Sequence, residues 1–241
     1  MESRFYQQLE LPRPVLDLGC GDGHFAAATF DQPLDVGIDP WSDPLRQAAR
    51  RGSYRWVLRG SGDRMPFRDG FFSSAISNSV LEHIPQLDAV LLEAARVLKP
   101  GAPFIFCVPN HNFLANLSVS NFLERVGMRP AAEAYRKFFN RISRHHHCDS
   151  PEVWQERIEN AGFELVRWWH YFSPEALHVL EWGHYFGLPS LVAKQLFGNW
   201  ILVPSRWNLA LTQAIVRPYY LEEDSQPQGS YTFYITRRVE S

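Results

Sequence analysis

The segment Val15-Leu16-Asp17-Leu18-Gly19-Cys20-Gly21-Asp22-Gly23-His24-Phe25 constrains this chain more than any other. An apolar strand runs into three alternating glycines and then into a helix. Glycine permits a tight turn and lets the main chain approach a ligand closely, because no Cβ stands between them. Such a loop holds a nucleotide-like ligand. The dinucleotide fingerprint G-x-G-x-x-G would need a glycine at position 24, where His24 stands. The spacing here is G-x-G-x-G, which argues against a nicotinamide dinucleotide.

Downstream, short β-branched or aromatic runs at 34–38, 55–58, 72–77 and 104–108 alternate with helical stretches. That alternation predicts a parallel sheet with crossover helices. Leu87, Val90, Leu91, Ala94, Ala95 and Leu98 recur at helical spacing, and Pro100-Gly101 stops that helix. Ser150 is expected as an N-cap with Pro151 in the first turn, and Gly162 as the stop before a strand at 163–171. A last strand is expected at 230–237, where Tyr231, Phe233 and Ile235 alternate. The expected fold is α/β, a Rossmann-like, seven-stranded, mostly parallel sheet with helices on both faces. It forms a single domain over 1–241, with inserted helical, aromatic-rich segments at 110–149 and 173–229 as a lid.

The composition excludes several classes. With 45% hydrophobic and 21% charged residues over 241 positions, the chain has the makings of a globular core. Its formal charge of −2 gives no field for phosphate backbones, and no basic patch stands out, so nucleic acid is not expected as a partner. Residues 1–14 contain no apolar run that could serve as a secretory signal. The apolar stretch 186–204 is broken by Lys194, Gln195, Asn199 and two prolines, so no transmembrane span is expected and a cytoplasmic address follows. Cys20, Cys107 and Cys148 show no metal-knuckle or disulfide spacing.

The run VLDLGCGDG, with an acidic residue closing the next strand in Val36-Gly37-Ile38-Asp39, resembles the class I S-adenosylmethionine-dependent methyltransferases. The resemblance implies that Gly19, Gly21 and Gly23 line the methionine moiety, and that Asp39 accepts hydrogen bonds from both ribose hydroxyls. A carboxylate suits a vicinal diol, since each hydroxyl can donate to one oxygen. Further matches are Met65-Pro66-Phe67-Arg68-Asp69-Gly70-Phe71-Phe72, Val80-Leu81-Glu82-His83-Ile84 and Arg96-Val97-Leu98-Lys99-Pro100-Gly101. These are similar to the ubiquinone- and menaquinone-methyltransferase-like branch, and the match covers roughly the first 110 residues. One position departs from the pattern: the acidic residue expected to meet the adenine amino group is Ser61 here, with Asp63 the alternative and Trp41 or Met65 candidate apolar walls. The residues expected around S-adenosylmethionine are therefore Asp17, Gly19, Cys20, Gly21, Gly23, Asp39, Pro40, Trp41, Ser61, Gly62, Asp63, Asn78, Ser79 and His83. Asn78 and Ser79 end the fourth strand, where ligands of such sheets bind. The segment there lacks the Asn-Pro-Pro-aromatic pattern of nucleic-acid amino methylation.

A sulfonium carries its own activation, so the protein need only align a nucleophile and exclude water. If the acceptor is a hydroxyl, His111, just past the fifth strand, is the leading candidate base. The run His145-His146-His147-Cys148-Asp149 contains zinc-type ligands, but adjacent residues rarely converge on one ion. Glu82-His83 is similar to quinone methyltransferases that use a divalent ion, yet their further acidic ligands are Asn78 and Ser79 here. No metal is expected on this reading. Only 14 residues precede the first strand, so the two aromatic-rich segments are expected to roof the acceptor. They carry Phe113, Phe122, Tyr135, Phe138, Phe139, Trp182, Tyr185, Phe186, Phe197, Trp200, Trp207, Tyr219 and Tyr220. A partly apolar small molecule, quinone-, polyketide- or lipid-like, is the expected partner. The alternative is a methyltransferase-like protein that binds the cofactor without catalysis.

Overall fold

A computed structural model of the chain describes residues 1–186 and 206–240. Seven strands form one sheet: β1 (Val15–Leu18), β2 (Leu34–Asp39), β3 (Tyr54–Arg59), β4 (Ser74–Asn78), β5 (Pro103–Pro109), β6 (Phe163–Tyr171) and β7 (Tyr231–Arg238), in the spatial order β3-β2-β1-β4-β5-β7-β6. The strands from β3 across to β5 pair in parallel, and β7 runs antiparallel to β5. Strand order reverses between β1 and β4. That reversal is the topological switch point, where sheets of this type open a crevice beyond the carboxyl ends of their strands.

The helices follow from the pattern of apolar residues. In α1 (Glu2–Gln7) Phe5 and Tyr6 are buried, and Tyr6 packs edge-on against Phe25 and Phe233. Helix α2 (His24–Thr29) follows the glycine loop, and α3 (Ser42–Arg51) ends on Gly52 at φ +70°. Helix α4 (Leu87–Val97) buries Leu87, Val90, Leu91 and Ala94, one face at i, i+3, i+4 and i+7 spacing. Helix α8 (Pro151–Asn160) starts after an extended Ser150 and is followed by Gly162 at φ +87°. One core joins the two faces of these elements to the sheet, with Leu16, Ile38, Phe72, Phe104, Phe106, Trp154 and Tyr234 all inside it.

The fourth strand differs from its expected bounds. Phe72 is not in β4: its N–H donates to Val97 O, its carbonyl accepts from Lys99 N–H, and it forms a lone parallel bridge with Leu98. The chain leaving α4 thus claims the backbone that would have lengthened the strand.

The chain divides into two compact units, one of residues 2–111, 144–170 and 231–241, the other chiefly of 112–143 and 171–230. The first contains the sheet. Within the second, α5 (Asn112–Ala115) is followed by α6 (Ser118–Arg125), which packs on α7 (Arg129–Ser143), and α9 (Pro174–Phe186) packs on the helix Arg206–Tyr220. Its polar centre is Glu181, fully buried, whose carboxylate accepts from Ser118 N–H and O–H, Val119 N–H and Tyr135 O–H. An anion here also suits the start of α6. Of the aromatic residues in 110–149 and 173–229, Phe113 and Phe139 are buried, whereas Phe122, Phe138 and Trp182 are exposed. Phe197 and Trp200 lie outside the described residues, as do the side chains of Tyr185, Phe186 and Trp207. Most of 186–204 does too. Among the described residues, no helix is long and apolar enough to cross a membrane.

Candidate active site

The glycine loop leaves β1 at the switch point, and its three glycines serve different ends. All three have positive φ, +80° at Gly19, +52° at Gly21 and +73° at Gly23. A Cβ on Gly19 would come within 2.3 Å of Val80 Cγ1, and one on Gly23 within 3.1 Å of Ala48 Cα. Those two are needed for packing. A Cβ on Gly21 would meet nothing within 4 Å. The loop therefore offers bare backbone to open space at Gly21, the cradle a nucleotide-like ligand requires.

Asp39 closes β2 beside this cradle. Its Oδ2 accepts the Gly21 amide at 3.1 Å and its Oδ1 the Trp41 amide at 2.9 Å, while the residue is only 8% exposed. Each oxygen keeps a second lone pair. The carboxylate is thus oriented in advance and still able to accept one hydroxyl on each oxygen, as a vicinal diol demands. Asp17, beneath the loop in β1, is buried and accepts the Tyr54 hydroxyl at 2.6 Å. Burial drives its carboxyl up to about 7, against the Tyr54 hydrogen bond, with the Asp39 charge adding a further push.

The other expected contacts separate into groups. Cys20 turns its sulfur inward, and a Cβ on Gly37 would lie 2.8 Å from it; burial pushes that thiol well up, so it packs the loop onto β2. Pro40 and Ser61 are exposed, and Gly60 N–H donates to Asp39 O, which brings the start of the 60–63 turn to the end of β2. Gly62 sits against Leu18 and Val90, and Asp63 is exposed. Trp41 is 70% exposed. Met65 is not an apolar wall: at 3% exposure it belongs to the core, and its amide is taken by Glu93 Oε1.

At the end of β4, Asn78 Oδ1 accepts from the Cys107 thiol at 3.1 Å, and Ser79 has φ +53°. A left-handed serine is uncommon backbone at a strand end, of the kind that clusters at functional sites. His83 does not cap α4, whose N-cap is Gln86. It ends a 3₁₀ turn, Leu81–His83, and its Nδ1 lies 3.1 Å from Arg144 O.

His111 is exposed, with its ring 5.8 Å from that of His170. Nothing in the local sequence marks His170. Its Nδ1 lies 2.8 Å from Thr232 Oγ1 and 2.9 Å from Asn110 Nδ2, and its pKa is held down by burial and then by His111. Only the tertiary pairing of β5, β7 and β6 brings these residues together, so no local pattern could have signalled it.

Residues 16–106 match a family model described as a methyltransferase domain. An uncharacterized methyltransferase of Mycolicibacterium gilvum is 39% identical over 93 residues, 36% of this chain and 35% of that protein. One of Mycobacterium tuberculosis is 36% identical over 92 residues, 37% of this chain and 36% of its own. The chain thus spans about a third of the length of the curated relatives it matches. Over nearly the whole chain the likeness is one of fold. An S-adenosylmethionine-dependent methyltransferase of Thermotoga maritima superposes with a TM-score of 0.60 at 16% identity, covering 98% of this chain and 86% of that one. One of Mesorhizobium loti gives 0.56 at 13% identity, covering 99% and 98%. The cyclase SpnF gives 0.62 at 17% identity, covering 100% and 80%. The chain has the Rossmann-like fold of the S-adenosylmethionine-dependent methyltransferases, and its residues 16–106 are similar in sequence to a methyltransferase domain.

Proposed function

We propose that this chain transfers a methyl group from S-adenosylmethionine to an oxygen of a small, partly apolar molecule. The observation that carries the cofactor is the pairing of Gly21 with Asp39, a bare left-handed glycine facing open space beside a carboxylate pre-oriented by two backbone amides. Asp39 holds the ribose diol, and the Gly19–Gly23 backbone takes the methionine end. Asp17 lies beneath, its carboxyl raised by burial to about 7, so that the cofactor's ammonium would favour its ionised form. When bound, the sulfonium supplies an electrophilic methyl group, so the chain's own work is alignment and exclusion of water.

His111 Nε2 or Nδ1 takes the acceptor's hydroxyl proton, supported by its place directly after β5, on the ligand-binding edge of the sheet. The aromatic content of 110–149 and 173–229 favours an acceptor with a large apolar part, such as a quinone, polyketide or lipid-linked sugar. The test is incubation with S-adenosylmethionine and a panel of hydroxylated acceptors of these classes, read by mass spectrometry. Formation of S-adenosylhomocysteine together with an O-methylated product is expected. Cofactor binding without turnover across the panel would favour a binding role instead.

A further inference from the structure

Beyond the glycine loop, the most unusual chemistry lies around Glu82. This carboxylate is 1% exposed, and its Oε2 is buried with no hydrogen-bond partner. A buried acceptor left in that state is costly unless something cationic meets it. Two imidazoles surround it. Ligand atoms of Glu82, His83 and His145 all lie within 4.8 Å of one another, with His83 Nε2 3.8 Å from Glu82 Oε1.

The tautomer of His83 is fixed by its neighbour. Facing a carbonyl, Arg144 O, its Nδ1 can only donate, which leaves the lone pair on Nε2, turned toward Glu82. A histidine ring oriented by a carbonyl in this way is the usual outer-shell arrangement of a metal ligand. The second imidazole, His145, comes from the far segment, with its Nδ1 3.6 Å from Cys148 Sγ.

The two segments are also tied together. His146 and His147 both donate their amides to Glu82 O, at 2.7 and 3.3 Å, and His147 Nε2 lies 3.0 Å from Ile84 O. The histidine run does not converge as a run: one member turns to Glu82, and the next two brace the backbone. His83, with its side chain 41% exposed, leaves a path from solvent.

We propose that Glu82, His83 and His145 form a binding site for a zinc-type transition-metal ion. Two nitrogens and one carboxylate oxygen are a zinc donor set with a fourth position open to an exchangeable oxygen ligand. Imidazole selects zinc, cobalt or nickel over magnesium. Donors at about 2.0 to 2.2 Å from one tetrahedral ion stand about 3.3 to 3.6 Å apart, so contraction by about an ångström closes the set. The sequence offered only adjacent residues; folding supplies the missing ligand from a segment some sixty positions away.

The site is tested apart from the reaction, in the full, untagged chain without cofactor or acceptor. Titration with Co²⁺, followed by visible d–d absorption, and equilibrium dialysis against Zn²⁺ should each give one ion per chain, not displaced by excess Mg²⁺. His145→Ala and Glu82→Gln should each weaken binding at least about tenfold while retaining the native circular dichroism spectrum; if one fails to fold, the other decides. His146→Ala should bind as the parent does. Absence of Zn²⁺ and Co²⁺ binding would overturn the site, as would binding undiminished in the folded variants, or lost equally in His146→Ala. Because S-adenosylmethionine affinity is measured independently, failure here is distinguishable from failure of the methyl-transfer reading.

Discussion

The Tyr54 hydroxyl in β3 reaches across β2 to donate a 2.6 Å hydrogen bond to Asp17 Oδ2 in β1. The bond favours the ionised carboxylate, yet burial outweighs it and lifts Asp17 from 3.8 to about 7. Its sign for stability follows from proton binding. The unfolded chain releases this proton near 3.8, whereas the folded chain holds it up to about 7, so the contribution is greatest at the acid end. It is lost progressively as pH rises through that window. Urea denaturation across the window should show Asp17→Asn removing part of the decline, and Tyr54→Phe steepening it. Equal slopes in parent and Asp17→Asn would refute the assignment.

Gly19 and Gly21 should respond to alanine in different ways. Both lose their left-handed ease, at a cost of about 1 to 2 kcal/mol. Gly19→Ala adds a clash with Val80, so its loss of stability should be the larger and should be partly recovered by Val80→Ala. Gly21→Ala meets no protein atom and should act mainly on cofactor affinity. Thermal denaturation and binding, measured side by side, separate the two. Equal effects on both readouts in both variants would contradict the distinction.

Glu181→Ala should loosen the unit it centres. It would remove one shared acceptor from the partly buried Ser118, Val119 and Tyr135 at once, and a donor that loses its acceptor costs up to about 1 to 3 kcal/mol. Hydrogen exchange should lose protection over 118–143 while β1 to β5 keep theirs. Unaltered protection in 118–143 would show that the carboxylate is dispensable.

The sheet was legible in the sequence because each strand carries its own pattern of apolar residues and is bounded by turn residues, as at Gly19 and Gly162. Asp39 was legible for the same reason, standing at a strand end. What depends on distant pairing was not. Phe72 reads as strand until the backbone after α4 binds it, and Met65 reads as a wall until packing places it in the core. His170 and His145 acquire meaning only from residues about sixty positions away, Asn110 and Glu82 with His83. Glu181 likewise is an ordinary helical glutamate until α6 is laid against it.

His111→Ala should lower the chemical step by about 10² to 10⁴ and spare cofactor affinity, the signature of a general base. His170, close by, is the internal comparison: His170→Ala should affect turnover less. Single-turnover kinetics with an identified acceptor would decide, and undiminished turnover in His111→Ala would leave alignment alone as the source of rate.

Whether Gly21 and Asp39 together hold S-adenosylmethionine is decided by calorimetric titration of the cofactor into parent, Asp39→Ala and Asp39→Asn. The parent should bind in the micromolar range. Loss of a charged acceptor shared by two hydroxyls should weaken binding about tenfold or more, corresponding to about 1.5 to 3 kcal/mol, with the fold intact by circular dichroism. Failure of the parent to bind, or unchanged affinity in folded Asp39→Ala, would overturn the placement of the cofactor.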